Sequence, residues 1–176
     1  AELLKGNTSI KHLDIEGSDV KEKGLISIAE ALEENKTITS INLSNCHICE
    51  GDGDNSKKVG FKKFQQAERE KIKRRQVEAT KGVRKLTEVL LKNTSLKSLS
   101  LGQNRIMDGD IIEFSKAIEG NSSLEHIDLS ENKIGDEGAK ALANAISKNT
   151  SLISMSIKGN ASISKKGSEK LFEAFA

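Results

Sequence analysis

The chain has 176 residues, of which 35% are hydrophobic and 31% charged, and its formal net charge is +2. That balance predicts a soluble globular domain of one core and argues against a disordered chain, while the lack of any apolar run near ~20 residues argues against a membrane-spanning helix. The net charge hides a segregation: from Lys57 to Lys85 twelve Lys and Arg stand against three Glu, a local +9, which leaves −7 on the remainder. Trp, Tyr and Pro are absent and Phe occurs five times, so the core must be aliphatic. The two cysteines, Cys46 and Cys49, make no disulfide framework and predict a reducing, cytoplasmic setting. No signal peptide is expected at the start of the chain. Delivery into a host cell as an effector is compatible with the same features.

In chain order, a unit opens at Asn7 with "NTSIKHLDIEGSDV" and returns at Asn35 as "NKTITSINLSNCHI". After a longer gap it returns at Asn93 as "NTSLKSLSLGQNRI", at Asn121 as "NSSLEHIDLSENKI" and at Asn149 as "NTSLISMSIKGNAS". The unit repeats every 28 residues, apart from the second interval, which contains about 30 residues more. Each unit begins with alternating apolar residues, as at Leu96, Leu99 and Leu101, the mark of a short strand with one buried face. Each ends with apolar residues at helical spacing, as at Ala139, Leu142, Ala143 and Ile146. One strand and one helix cannot bury their own apolar faces. Side by side, such units build a parallel sheet backed by helices. Strands are predicted around Leu13, Ile41, Leu99, Ile127 and Met155.

The interruption falls at about residues 49–79. It opens with "EGDGDN", whose spacing fails a calcium loop: counting from Asp52, the sixth and twelfth places hold Lys57 and Lys63, where Gly and Glu are required. It continues as "SKKVGFKKFQQAEREKIKRRQ", rich in helix formers. Tracing the core stripe back from Leu90 through Leu86, Val83, Ala79, Gln76, Ile72, Glu68, Phe64 and Phe61 predicts one helix starting near Gly60, roughly 48 Å long. Its basic half carries Lys62, Lys63, Arg69, Lys71, Lys73, Arg74 and Arg75, candidates for binding an acidic partner; a solvated, charge-rich segment without a partner is the competing expectation. Nucleic acid or an acidic membrane is a weaker expectation: clustered cations suffice for phosphate, but Tyr and Trp for base stacking are lacking and the apolar stripe is thin.

Chemistry has few footholds. "CHIC" is formally C-x-x-C around His47, yet Cys46 occupies the place held by Asn104 and Asn132 in other units, which predicts a buried structural thiol rather than a metal or redox pair. His12 with Asp14, and His126 with Asp128, lie two apart and so share the outward strand face. They are candidate partner contacts, and acid–base work is the alternative. No nucleophile–base arrangement stands out, so no enzyme, catalytic residue, metal or cofactor is expected. The other outward positions (Glu16; Ser40, Asn42, Ser44; Ser98, Ser100, Gly102; Ser130; Ser154, Ser156, Lys158) are small and polar, without the Trp, Tyr or Arg of interface hot spots.

The run L-x-x-L-x-L-x-x-N-x-I, read from Leu96 through Asn104 to Ile106 and again from Leu124 through Asn132 to Ile134, resembles the leucine-rich repeat. The 28-residue period and "IGDEGAKALANAISKN" resemble its ribonuclease-inhibitor-like subfamily, whose units occur in Ran GTPase-activating proteins, tropomodulins and nucleotide-binding immune receptors. The resemblance implies an α/β fold: a right-handed horseshoe segment with a parallel sheet on the concave side, helices on the convex side, and protein–protein binding as its use. It also implies that the position of Ser18, Cys46, Asn104, Asn132 and Asn160 forms a side-chain ladder to neighbouring backbone. Residues 1–176 are then one domain of about five repeats. The expected function is a non-enzymatic interaction module or scaffold. A small-GTPase regulator like the Ran activators, or an actin-associated module like tropomodulin, is the alternative. The chain opens at the end of a helix and closes within one, and neither end resembles a capping repeat, which suggests either a fragment of a longer protein or helices that serve as minimal caps.

Overall fold

The computed structural model describes residues 2–49, 66–67, 69–71, 73–74 and 79–175. Five strands, β1 (His12–Asp14), β2 (Ser40–Asn42), β3 (Ser98–Ser100), β4 (His126–Asp128) and β5 (Ser154–Ser156), form one sheet in sequence order. Every pairing is parallel: Leu13 aligns with Ile41, Ile41 with Leu99, Leu99 with Ile127 and Ile127 with Met155. Parallel neighbours need a crossover between them. Here it is supplied by α2 (Lys21–Glu34), α3 (Lys81–Leu90), α4 (Asp108–Gly120) and α5 (Asp136–Ile146), with α1 (Glu2–Lys5) before β1 and α6 (Lys165–Ala174) after β5. Each helix packs on the next along the array.

The alternation explains the core. In the three inner repeats the trios Ile38–Ile41–Leu43, Leu96–Leu99–Leu101 and Leu124–Ile127–Leu129 are all buried, and they meet Leu25, Leu32, Leu86, Leu90, Phe114, Ile118 and Leu142 from the helices. Each fully buried Leu or Ile contributes about 1.5–3 kcal/mol. The outer trios are less covered: Leu13 and Ile15, and Leu152, Met155 and Ile157, are half-buried, while Ile10 is exposed. A one-dimensional stack buries a unit fully only where it has a neighbour on both sides.

Two side-chain ladders tie the repeats together. In the first, Asn104 Nδ2 donates to the Leu43 carbonyl (2.7 Å) and its Oδ1 accepts from the Cys46 N–H (2.9 Å). Asn132 repeats this with the Leu101 carbonyl and the Asn104 and Ile106 N–H groups. Asn160 repeats it with the Leu129 carbonyl and the Ile134 N–H. Immediately before this position the backbone turns left-handed, at Gly17, Asn45, Gln103, Glu131 and Gly159.

The second ladder uses the asparagine that opens each unit. Asn121 Oδ1 accepts from the Ser123 and Leu124 N–H groups, and its Nδ2 donates back to the Leu90 and Asn93 carbonyls. Asn35 and Asn149 do the same one unit away. Asn93 follows through Ser95, Leu96 and the Leu32 carbonyl. Each closes the turn after its own helix and satisfies carbonyls left open at the end of the preceding one.

The expected single long helix is not found. Residues 66–67, 69–71 and 73–74 are helical, but α3 starts afresh at Lys81. Thr80 is its N-cap in extended conformation, with Oγ1 accepting from the Val83 N–H. The Thr80 N–H bonds to Asp110 Oδ1 at 2.8 Å instead of a carbonyl four residues back. Because a hydroxyl cap and a tertiary acceptor both compete at Thr80, a helix cannot run through it. The apolar stripe of Phe61, Phe64 and Ile72 lies outside the described residues.

Candidate functional site

Among the insertion's candidate residues, Arg69, Lys71, Lys73 and Arg74 are helical and exposed. Gln66 donates to Glu70 across one turn at 3.2 Å. Lys62, Lys63 and Arg75 lie outside the described residues, as does the "EGDGDN" run. The cations that are described therefore face water, where they can act on a charged partner.

The strand candidates occupy the open face of the sheet, opposite the helices. His126 Nδ1 lies 2.8 Å from Ser154 Oγ across the β4–β5 pair. Asp128, two residues on, accepts the Ser130 N–H at 2.9 Å. Asp14 likewise accepts the Glu16 N–H, at 3.0 Å. Each Asp thus closes the turn after its strand, and the His–Asp pairs expected from the spacing are not coupled in that way. Around them the open face is a field of small polar groups, joined in places by hydrogen bonds such as Asn42 Nδ2 to Glu16 Oε2 at 3.0 Å. A surface of this kind offers hydrogen bonds along an extended or helical partner.

The C-x-x-C segment resolves into two different cysteines. Cys46 is fully buried and its thiol donates to the Ile15 carbonyl at 3.1 Å, the rung that asparagine supplies elsewhere. Burial pushes this thiol above the ordinary range, against backbone hydrogen bonding from Ser18 and Gly17. Cys49 is also buried, and its thiol donates to Asp110 Oδ2 at 3.7 Å. His47, between them, is half-buried and turns its Nδ1 to Asp19 Oδ1 at 3.4 Å, beside the Lys21–Asp19 ion pair at 2.8 Å. The three side chains point to three places, and among the described residues no group of His, Cys, Asp and Glu could hold a metal ion. Also among the described residues, no helix is long and apolar enough to cross a membrane.

Sequence reasoning passed over the second asparagine ladder, although Asn35, Asn93, Asn121 and Asn149 recur visibly at the head of every unit. It also passed over Asp110. Its signal was positional: the aligned places in other units hold Gly24, Gly82 and Gly138.

Leucine Rich repeat models match residues 6–29, 92–115 and 120–143. A comparison with curated protein sequences finds no match. Among solved structures, "Leiomodin-1 Actin-Binding Site 2 (ABS2)" is similar with a TM-score of 0.70 at 16% identity, over 99% of this chain and 84% of that one. A tropomodulin C-terminal domain from Caenorhabditis elegans is similar with a TM-score of 0.45 at 16% identity, over 86% of this chain and 90% of that one. The chain carries leucine-rich repeats in those three stretches, and its fold is a leucine-rich repeat solenoid.

Proposed function

We propose that the chain is a protein-interaction module in which the solenoid is the scaffold and the basic insertion supplies the principal contact to an acidic partner. The observation that carries this reading is the segregation of charge, +9 over Lys57–Lys85 against −7 elsewhere, together with the exposure of Arg69, Lys71, Lys73 and Arg74. The open face of the sheet, with His12, Asp14, His126 and Asp128 among serines, is the secondary contact. The reading treats residues 1–176 as one domain of the 28-residue, ribonuclease-inhibitor-like kind, interrupted at about 49–79, working inside the cell. Catalysis has no part in it.

Actin is the first partner to test, because the solved structure with a TM-score of 0.70 is titled as an actin-binding site. A small GTPase is the second. Exposed charges are screened within about 8 Å at physiological ionic strength, so binding through the insertion must weaken with salt. Co-sedimentation with actin at low and physiological salt is expected to show salt-sensitive binding by the wild type. Binding should be lost when Lys71, Lys73 and Arg74 are changed to Glu, or when residues 51–78 are replaced by a short Gly/Ser turn. Undiminished binding by the shortened chain at low salt would remove the insertion from the reading and move the contact to the sheet. No actin binding at either salt would leave the GTPase arm, measured by the same variants, as the remaining partner.

A further inference from the structure

At three of the four inter-helix junctions that follow α2, a carboxylate of one repeat reaches forward to the next. Glu22 Oε1 accepts the Lys81 and Gly82 N–H groups at 2.7 and 3.3 Å. Asp108 Oδ1 accepts the Gly135 and Gly138 N–H groups at 2.7 and 3.1 Å. Asp136 Oδ1 accepts the Ser164 N–H at 2.8 Å. The receiving helix then has a glycine where the carboxylate sits. A Cβ on Gly138 would lie 2.7 Å from Asp108 Oδ1, and one on Gly167 would lie 2.4 Å from Asp136 Oδ1.

The junction between α3 and α4 reverses this. The forward position holds Thr80, whose short side chain caps its own helix, and the glycine position holds Asp110. The Asp110 carboxylate points backwards and is fully buried. Its Oδ1 accepts the Thr80 N–H at 2.8 Å; its Oδ2 accepts the Cys49 S–H at 3.7 Å and the Met107 N–H at 3.2 Å. Cys49 is the last described residue before the insertion, and Thr80 opens the helix that follows it. The carboxylate has changed sides at the one junction where the chain leaves the repeat, and it grips both the departure and the return.

We infer that Asp110 is a positioning residue for the insertion: its buried carboxylate ties Cys49 to Thr80, so that the inserted residues leave and re-enter the solenoid at one fixed root. This holds whatever the insertion binds. Removing the carboxylate frees three donors, the Thr80 and Met107 N–H groups and the Cys49 S–H, and unmade buried hydrogen bonds are costly enough to shift local opening on the order of tenfold.

The test compares the two cysteines, because Cys46 sits in the first ladder and serves as an internal control. Asp110→Gly installs the residue that neighbouring repeats carry. Thr80→Asp combined with Asp110→Gly rebuilds the ordinary forward junction and guards against a mere loss of stability. In both variants, modification of Cys49 by an aromatic disulfide reagent is expected to rise on the order of tenfold while Cys46 stays as slow as in the wild type. In the single variant the Thr80 amide, which loses its Asp110 acceptor, should exchange faster. Equal acceleration of Cys46 and Cys49 in both variants would make Asp110 a general core residue and overturn the inference. So would a double variant in which Cys49 remains protected.

Discussion

The junction from β4 to α5 and the junction from β2 to α3 perform the same task with different chain lengths between. In the first, nothing intervenes: Asn132 makes the rung, and Gly138 receives the carboxylate of Asp108. In the second, the insertion intervenes, Cys46 makes the rung, Gly82 still receives the carboxylate of Glu22, and the Thr80 N–H is taken by Asp110, which stands in the glycine place of the following helix. The sheet does not register the difference. Ser40 pairs with Ser98 just as Ser98 pairs with His126, and Asn104 bonds the Cys46 N–H across 58 residues much as Asn132 bonds the Asn104 N–H across 28. An array whose units touch only their neighbours accepts an insertion wherever rung and helix start can both be rebuilt. The two substitutions mark where that rebuilding took place.

The sharpest way to break the comparison is Asn132→Ala. It would strand the Asn104 and Ile106 N–H groups and the Leu101 carbonyl in the core. A loss of about 3 kcal/mol or more is expected in urea unfolding, since each buried group left unpaired costs about 1–3 kcal/mol. Gly138→Ala should follow. The new methyl group would lie 2.7 Å from both Asp108 Oδ1 and Ile134 Cγ2, and overpacking of this kind costs roughly 1–3 kcal/mol. A neutral result at Gly138 would mean that the forward junction is looser than its geometry and would blunt the contrast with Asp110.

Cys46→Ser is the smallest of these changes, with an expected loss of about 1 kcal/mol, because a hydroxyl can still donate to the Ile15 carbonyl. It also has a pH signature. Burial raises the Cys46 thiol pKa in the folded chain, so the folded protein holds that proton when the unfolded chain has released it. Stability from this source is complete below the unfolded thiol's value of about 8.5. It falls as pH rises from there through the folded value. Unfolding measured from pH 7 to 10 should slope downward in the wild type, and Cys46→Ser should flatten the slope.

The regular part of the structure was legible because it is dictated locally and repeatedly. Leu13, Ile41, Leu99, Ile127 and Met155 do centre the five strands, and Cys46 does take the asparagine rung. The long helix back to Gly60 was misread. Helical spacing continued through Thr80, but the acceptor that breaks the helix there comes from Asp110, thirty residues later in the sequence. For the His–Asp pairs, spacing puts them on one face, and the backbone N–H groups of Glu16 and Ser130 take the carboxylates. Local periodicity predicts which face a residue shares, and competition among acceptors decides what it does there.

The doubled rung spacing across the insertion also has a kinetic side. Closing a flexible loop of twice the length costs only about 0.6 kcal/mol more chain entropy. The insertion is therefore nearly neutral for equilibrium stability but separates the array into parts of unequal locality. From β3 to β5 every strand pairing joins residues one unit apart, whereas β2 must find β3 across the insertion. Because loop closure precedes the reward of contact, the repeats from Asn93 onward form the natural nucleus. The two before the insertion, whose own β1–β2 pairing is equally local, are expected to dock onto it afterwards through β2.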